Sequence, residues 1–206
     1  MTNTLTFLHL GEEENPLRYI HPVLRWIVDA EEPFASWFYQ GRLAAEVAVE
    51  ERLRRTSSEL WIGGITQMLC GDQHVGGFVA MRGNMLRKCG ALDILNYVQR
   101  LPSNHRVRAI EQIRRSFAPF PPVEDDVFFL SRLGMDPSFR GRGLSLHLVE
   151  RFKADAMRAR ASCCQLNVFA ENLPAVGLYH KAGFQTHCDF WLGDGAFRYL
   201  CLRLEL

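Results

Sequence analysis

The stretch that decides the fold runs Leu130-Ser-Arg-Leu-Gly-Met135-Asp-Pro-Ser-Phe-Arg140-Gly-Arg-Gly-Leu-Ser145. A β-like run, Asp126 to Met135, delivers the chain to Pro137, which has no N–H to give to a strand ladder. Arg140-Gly141-Arg142-Gly143 reads as a turn, and a helix follows over Leu144 to Arg160. In it Leu144, Leu148, Phe152 and Ala156 step by four along one apolar face, while Glu150, Lys153, Asp155 and Arg158 fall on the solvent side. A glycine turn feeding a helix start is a place to hold an anion. The first helical N–H groups lack internal partners, and the helix dipole adds about half a positive charge there. Glycines let a ligand approach the backbone, and Arg140 and Arg142 add two guanidinium groups, which suits a phosphate or pyrophosphate. No Gly-Lys-Ser/Thr follows, so this is not a nucleotide P-loop, and the GxGxxG spacing fails at Leu146. Taken alone, the tetrapeptide reads equally as a tight turn with solvated arginines.

Downstream, Cys163 to Ala170 reads as a strand. Leu173 to Ala182 reads as a helix that Asn172 caps and Gly183 ends. Asn172 and Tyr179 are seven residues apart and therefore share a helix face. The alternative is a capped amphipathic helix whose tyrosine has a structural role. Two terminal strands, Phe184 to Leu192 and Phe197 to Leu206, close the chain around Gly193-Asp194-Gly195.

Upstream, Leu5 to Leu10 reads as a strand and Pro16 to Arg55 as helices broken at Pro33. Ile65 to Cys70 and His74 to Met81 read as a hairpin around Gly71-Asp72-Gln73. Leu86 to Phe117 reads as helical with an interruption at Pro102, and the loop Ala118 to Pro122 follows it. Alternating strands and helices make a mixed α/β domain, and the chain length of 206 residues suits one domain.

Lys and Arg number 24 against 23 Asp and Glu, a net charge of +1, which argues against blanket binding of nucleic acid or anionic lipid. The six cysteines form no CxxC pair and no zinc spacing with histidine, so no metal site is expected. The chain opens without a basic-then-apolar leader and has no apolar run near the roughly 20 residues of a membrane span, so a soluble, cytoplasmic protein with reduced cysteines is expected.

The order of strand, Arg140-Gly141-Arg142-Gly143-Leu144-Ser145, helix, strand, then Asn172 to Tyr179 and Lys181-Ala182-Gly183-Phe184 resembles the GNAT superfamily of acyl-CoA-dependent N-acyltransferases. The resemblance is good from the central strand onward and extends to the first 125 residues only in element order. Ser145 departs from the usual Gly or Ala that closes the motif, but it is still small.

The resemblance implies an α/β fold with a central, splayed mixed sheet flanked by helices. Residues 1–206 would form one domain, with a helical insertion over about residues 84–122 before the central strand. Acetyl-CoA, or another short acyl-CoA, would lay its pantetheine arm along Leu133, Gly134 and Met135. Its pyrophosphate would rest on Arg140, Gly141, Arg142, Gly143, Leu144 and Ser145, with Asn172 and Tyr179 also at the cofactor. A backbone N–H near Met135 would stabilise the oxyanion, and Tyr179 would be the general acid.

Relatives that use a carboxylate base place it near the start of the central strand. Val127 occupies that position, and its neighbour Asp126 is the candidate general base. Strand alternation turns Asp126 to the other face, and Glu124 to Asp126 reads first as a solvated charge run. The acceptor expected is a small-molecule primary amine; a protein or peptide amine and a non-catalytic acyl-CoA sensor are the alternatives. The basic residues Arg100, His105, Arg106, Arg108, Arg114 and Arg115 of the insertion read as a solvated face or as a lid over an acidic acceptor. Trp37, Phe38 and Tyr39 read as core or groove wall. No nucleic acid or membrane partner is expected, and the apolar strand Leu200 to Leu206 could pair across a homodimer.

Overall fold

Residues 4–206 are described by a computed structural model; Met1 to Asn3, where the reading of a missing leader begins, lie outside it. One sheet contains β1 (Leu5–His9), β2 (Ile65–Cys70), β3 (Gln73–Arg82), β4 (Phe128–Met135), β5 (Cys163–Phe169), β6 (Gln185–Leu192) and β7 (Phe197–Glu205). Its spatial order is β1-β2-β3-β4-β5-β7-β6. Every adjacent pair is antiparallel except β4 and β5, which are parallel. The helices are α1 (Ile20–Glu31), α2 (Phe34–Tyr39), α3 (Arg42–Leu53), α4 (Gly83–Arg100), α5 (Ser103–Phe117), α6 (Ser145–Arg158) and α7 (Leu173–Lys181).

The periodicity that predicts α6 also sets its burial. Leu148, Phe152 and Ala156 are fully buried on one sheet face together with Leu130, Leu166, Tyr179 and Phe184. Phe152 stacks on Phe128 at 5.6 Å and meets Phe78 edge-on at 6.1 Å. On the other face α1 places Val23, Trp26 and Ile27 against Val49 and Leu53 of α3 and Val79 of β3. A third apolar cluster gathers Phe190, Leu192 and Cys201 with Phe34, Phe120, Phe197 and Tyr199. Gly134 is needed where α1 crosses the sheet, since a Cβ there would stand 2.6 Å from the Trp26 carbonyl oxygen.

The helices between β3 and β4 are α4 and α5, separated by Pro102, before which Leu101 takes the extended conformation that proline favours. Asp93 of α4 ties the pair to the end of α3. It accepts from Arg52 Nε at 3.2 Å, from an Arg55 guanidinium nitrogen at 2.7 Å, from Ser58 Oγ at 2.9 Å and from the Glu59 amide at 3.2 Å. Of the insertion's basic residues, Arg100 pairs with Glu51 and Arg106 donates to the carbonyls of Leu101 and Gln99. Leu10, predicted to end the first strand, instead begins a short 3-10 turn. The terminal strand read as a dimer edge is internal, because β7 is paired with β5 on one side and β6 on the other. The sheet edges are β1 and β6.

Candidate active site

The two central parallel strands separate. Phe128, Phe129 and Leu130 pair with Cys164, Gln165 and Leu166, and the pairing ends there. β5 continues against β7 as far as Phe169 and Tyr199, while β4 continues to Met135 against β3. The divergence has a local cause. Arg132 is opposite Val79 and Leu130 is opposite Ala80, so Ser131 is an extra residue in a bulge, which bends the strand and strengthens its twist. Ser131 to Met135 therefore present a strand edge toward β5 that β5 does not fill.

At the end of that edge the chain turns over Pro137–Phe139 into the glycines. Asp136 caps the turn, accepting from the Ser138 amide at 2.9 Å and its hydroxyl at 2.5 Å. These bonds, with Arg25 and Arg140 nearby, hold its carboxyl below the ordinary aspartate value. Arg140 braces the turn: its Nε donates to the Met135 carbonyl at 3.2 Å, and its guanidinium donates to Asp29 of α1 at 2.8 Å. Arg142 lies 5.3 Å over the Phe139 ring and forms no ion pair among the described residues. The two arginines thus differ, one being a strut and the other a cation open to a ligand. Gly141 and Gly143 both take φ +74°, and a Cβ at either would meet nothing within 4 Å. Open space and left-handed backbone together describe a cradle shaped for something outside the chain. Helix α6 starts at Ser145, two residues beyond Gly143; its Leu146 and His147 amides donate to the Gly143 and Leu144 carbonyls, so the amides available to the cradle are those up to Ser145.

Asn172 caps α7 as expected, its side chain accepting from the Ala175 amide at 3.3 Å. Tyr179 is buried, 7% exposed, in the cluster that contains Met135 and Leu148, and its ring meets Phe184 edge-on at 6.0 Å. Burial pushes its phenol well above the ordinary tyrosine value, so it stays protonated. Leu133, Gly134, Met135 and the turn from Arg140 to Ser145 thus gather at one end of β4, and Tyr179 lies in the cluster that also takes in Met135 and Leu133. Asp126 does not join them. It precedes β4, is exposed, and is held below the ordinary aspartate value chiefly by the Ser162 hydroxyl. It lies nine residues before Met135, about 30 Å at the rise of an extended strand.

Around the bulge lies a group of charges that the sequence reading did not single out. Arg132 donates from Nε to Glu31 at 2.6 Å, and the Ser131 hydroxyl donates to Glu59. Arg52 lies 3.3 Å from Glu59 and 3.1 Å from Asp93. Three arginines, Arg52, Arg55 and Arg132, offset Glu31, Glu59 and Asp93, so the cluster is near neutral. Its members come from five separate segments, and no local spacing announces them.

Residues 103–184 match the acetyltransferase (GNAT) family model. That stretch, 82 of the 206 residues, runs from α5 through the glycine turn to the end of α7 and is the part of the chain similar to the GNAT family. What that match supports is an acetyl-CoA-dependent acetyltransferase. No curated protein matches it in sequence. Among solved structures, an N-acetyltransferase from Staphylococcus aureus is similar at a TM-score of 0.68 and 16% identity, covering 97% of this chain and 100% of that one. An agmatine N-acetyltransferase aligns at 0.57 and 14%, covering 98% and 99%. The NatC complex bound to Gag peptide and CoA aligns at 0.56 and 14%, covering 98% of each chain. At these identities the likeness is one of fold. The site itself presents a cradle of two left-handed glycines at a helix start, an uncommitted Arg142, and an unfilled edge on β4. Among the described residues no cluster of His, Cys, Asp and Glu suits a metal ion, and no helix is long and apolar enough to cross a membrane.

Proposed function

We propose that the protein acetylates the primary amine of a small molecule, the amine attacking the thioester directly. The observation that carries the small-molecule reading is the seal made by the insertion. Phe117 of α5 meets Phe34 at 6.2 Å and Phe38 at 5.7 Å, and Phe120 meets Phe190 of β6 at 5.3 Å. A wall joining α2, α5 and β6 closes one side of the approach to the splay, where an extended peptide needs an open groove.

Acetyl-CoA, when bound, supplies the activated acetyl group. Leu133, Gly134 and Met135 give its pantetheine arm backbone partners in the manner of an added strand. The amides from Gly141 to Ser145, with Arg142, hold the pyrophosphate, and Asn172 contacts the arm. An N–H of β4 near Met135 faces the charge that develops on the carbonyl oxygen. Tyr179 serves the sulfur. Its raised pKa makes it a hydrogen-bond donor to the departing thiolate more than a group that releases its proton outright. Asp126 is too distant for the base. We read residues 1–206 as a single domain with residues 84–122 as its insertion. The six free cysteines agree with a reducing, cytoplasmic setting.

The test is thiol release from acetyl-CoA across small amines, amino acids, polyamines and peptides with free N-termini. Turnover of small amines with none of peptides is expected. Peptide turnover alone would give the reaction to protein N-termini or lysines, and acetyl-CoA binding with no release would make the protein a sensor.

A further inference from the structure

On the acceptor side of the splay, β5 carries a polar atom that is left without a partner. Along β5, Cys164, Leu166 and Val168 face the core beneath α6 and α7. Gln165, Asn167 and Phe169 therefore face the other way. Two of these three have clear partners: Gln165 Nε2 donates to the Pro122 carbonyl at 3.3 Å, and Phe169 meets Phe197 at 6.3 Å and Tyr199 at 5.6 Å. Asn167 is the first residue of β5 beyond the last pair with β4, and its Oδ1 is buried with no hydrogen-bond partner. Folding leaves buried carbonyl oxygens unpaired only rarely, and such an atom calls for a reason.

The surroundings supply one. On the same side of the sheet, Glu31 at the end of α1 uses only Oε1 toward Arg132 of β4. Tyr199 lies close enough to Arg132, Glu31 and Glu32 to feel all three charges. Arg132 is already neutralised by Glu31 and Glu59. The two atoms left over beside Tyr199, Asn167 Oδ1 and Glu31 Oε2, are hydrogen-bond acceptors, which match a ligand rich in N–H and poorly match a carboxylate or phosphate; the unpaired donor of α1, Trp26 Nε1, belongs to a side chain packed against Gly77 and Gly134 of β3 and β4. Beside them half-buried aromatic rings form a continuous wall, Trp37 on Phe197 at 6.1 Å and Phe197 on Phe169.

We propose that Asn167 and Glu31 form the acceptor subsite, Asn167 Oδ1 and the free carboxylate oxygen receiving the amine nitrogen while Trp37, Phe169, Phe197 and Tyr199 enclose an apolar body. The acceptor class is then a hydrophobic, uncharged-bodied primary amine with no anionic group. This rests on the acetyl-transfer reading above.

The experiment compares wild type with Asn167→Leu and Glu31→Gln, using an arylalkyl amine, an alkyl amine of similar length and an amino acid with a free α-carboxylate. Leucine has nearly the shape of asparagine and removes an unsatisfied buried acceptor, so a merely structural role predicts equal or better stability and unchanged kinetics. Expected are a tenfold or greater fall in kcat/KM for the arylalkyl amine in Asn167→Leu, carried mainly by KM, with the melting temperature held or raised and acetyl-CoA affinity unchanged. Glu31→Gln should lower the same ratio while narrowing the preference for amine over amino acid. Unchanged amine kinetics in Asn167→Leu would overturn the subsite, as would a parallel loss of stability and acetyl-CoA binding, or a wild-type preference for the amino acid. Acetyl-CoA binding with no release to any amine would overturn the acetyl-transfer reading itself, and the subsite with it.

Discussion

Gly143→Ala separates what the glycine turn does for the fold from what it does for the cofactor. Gly143 takes φ +74°, and an added Cβ meets no protein atom within 4 Å. The cost to the free protein is therefore conformational alone. Left-handed backbone costs an L-residue about 1–2 kcal/mol, partly offset by about 0.4–1 kcal/mol because alanine restricts the unfolded chain. A net loss near 1 kcal/mol lowers the melting temperature by roughly 2–4 °C at this chain length. That strain is present with or without ligand, so it cancels from the binding equilibrium if the turn keeps its shape. The methyl group itself does not cancel, since it stands where the pyrophosphate approaches the backbone. Loss of one hydrogen bond to a charged group is worth about 1.5–3 kcal/mol, a weakening of Kd by roughly 10- to 150-fold. Thermal melting of the free protein and calorimetric titration with acetyl-CoA read the two quantities separately. A melting temperature down by a few degrees with Kd within about twofold of wild type would refute the placement of the pyrophosphate.

Tyr179→Phe removes a buried phenol hydroxyl and should lower kcat by roughly 10- to 150-fold, the worth of a hydrogen bond to a charged group, while acetyl-CoA affinity holds; unchanged turnover in the thiol-release assay would sink the role. Phe152→Ala empties the centre of the core under α6, where Phe78, Phe128 and Phe184 all touch the ring, and should cost about 3–5 kcal/mol in denaturant unfolding. Asp29 is partly buried, which alone would raise its pKa, but hydrogen bonds from Arg42 and Arg140 outweigh this and hold it below 3.8. A depressed aspartate contributes stability above its unfolded pKa and loses it as pH falls through the folded value. Below about pH 4, wild type should therefore lose melting temperature more steeply than Asp29→Asn; parallel curves would show that the ion pairs contribute nothing.

The cofactor half was legible because its signals are local. Pro137, the paired glycines, the step-by-four apolar face of α6, and Asn172 with Gly183 each fix a backbone feature within a few residues of themselves. The acceptor half was not. The bulge at Ser131 arises from a mismatch between two strands, β3 and β4, and neither strand marks it alone. Glu31 is one of two adjacent glutamates at a helix end, and only the fold brings it to Arg132, across 101 residues of chain. The carboxylate run before β4 caught attention as sequence, yet strand length carries it to the far end of the sheet. Tyr179, whose helix taken alone reads first as structural, is deeply buried, and its burial sets the kind of proton donor it can be.

The strut from Arg140 to Asp29 has a consequence for the order of events in a catalytic cycle. Asp29 and Glu31 lie two residues apart on the last turn of α1, one gripping the glycine turn and the other gripping Arg132 beside the splay. One rigid helix end thus holds a point on each half of the site. Occupancy of either half that shifts this helix end must alter affinity at the other, and such coupling is equal in both directions. A substitution at Asp29 should register in the Michaelis constant for the amine as well as in the affinity for acetyl-CoA, although Asp29 need touch neither.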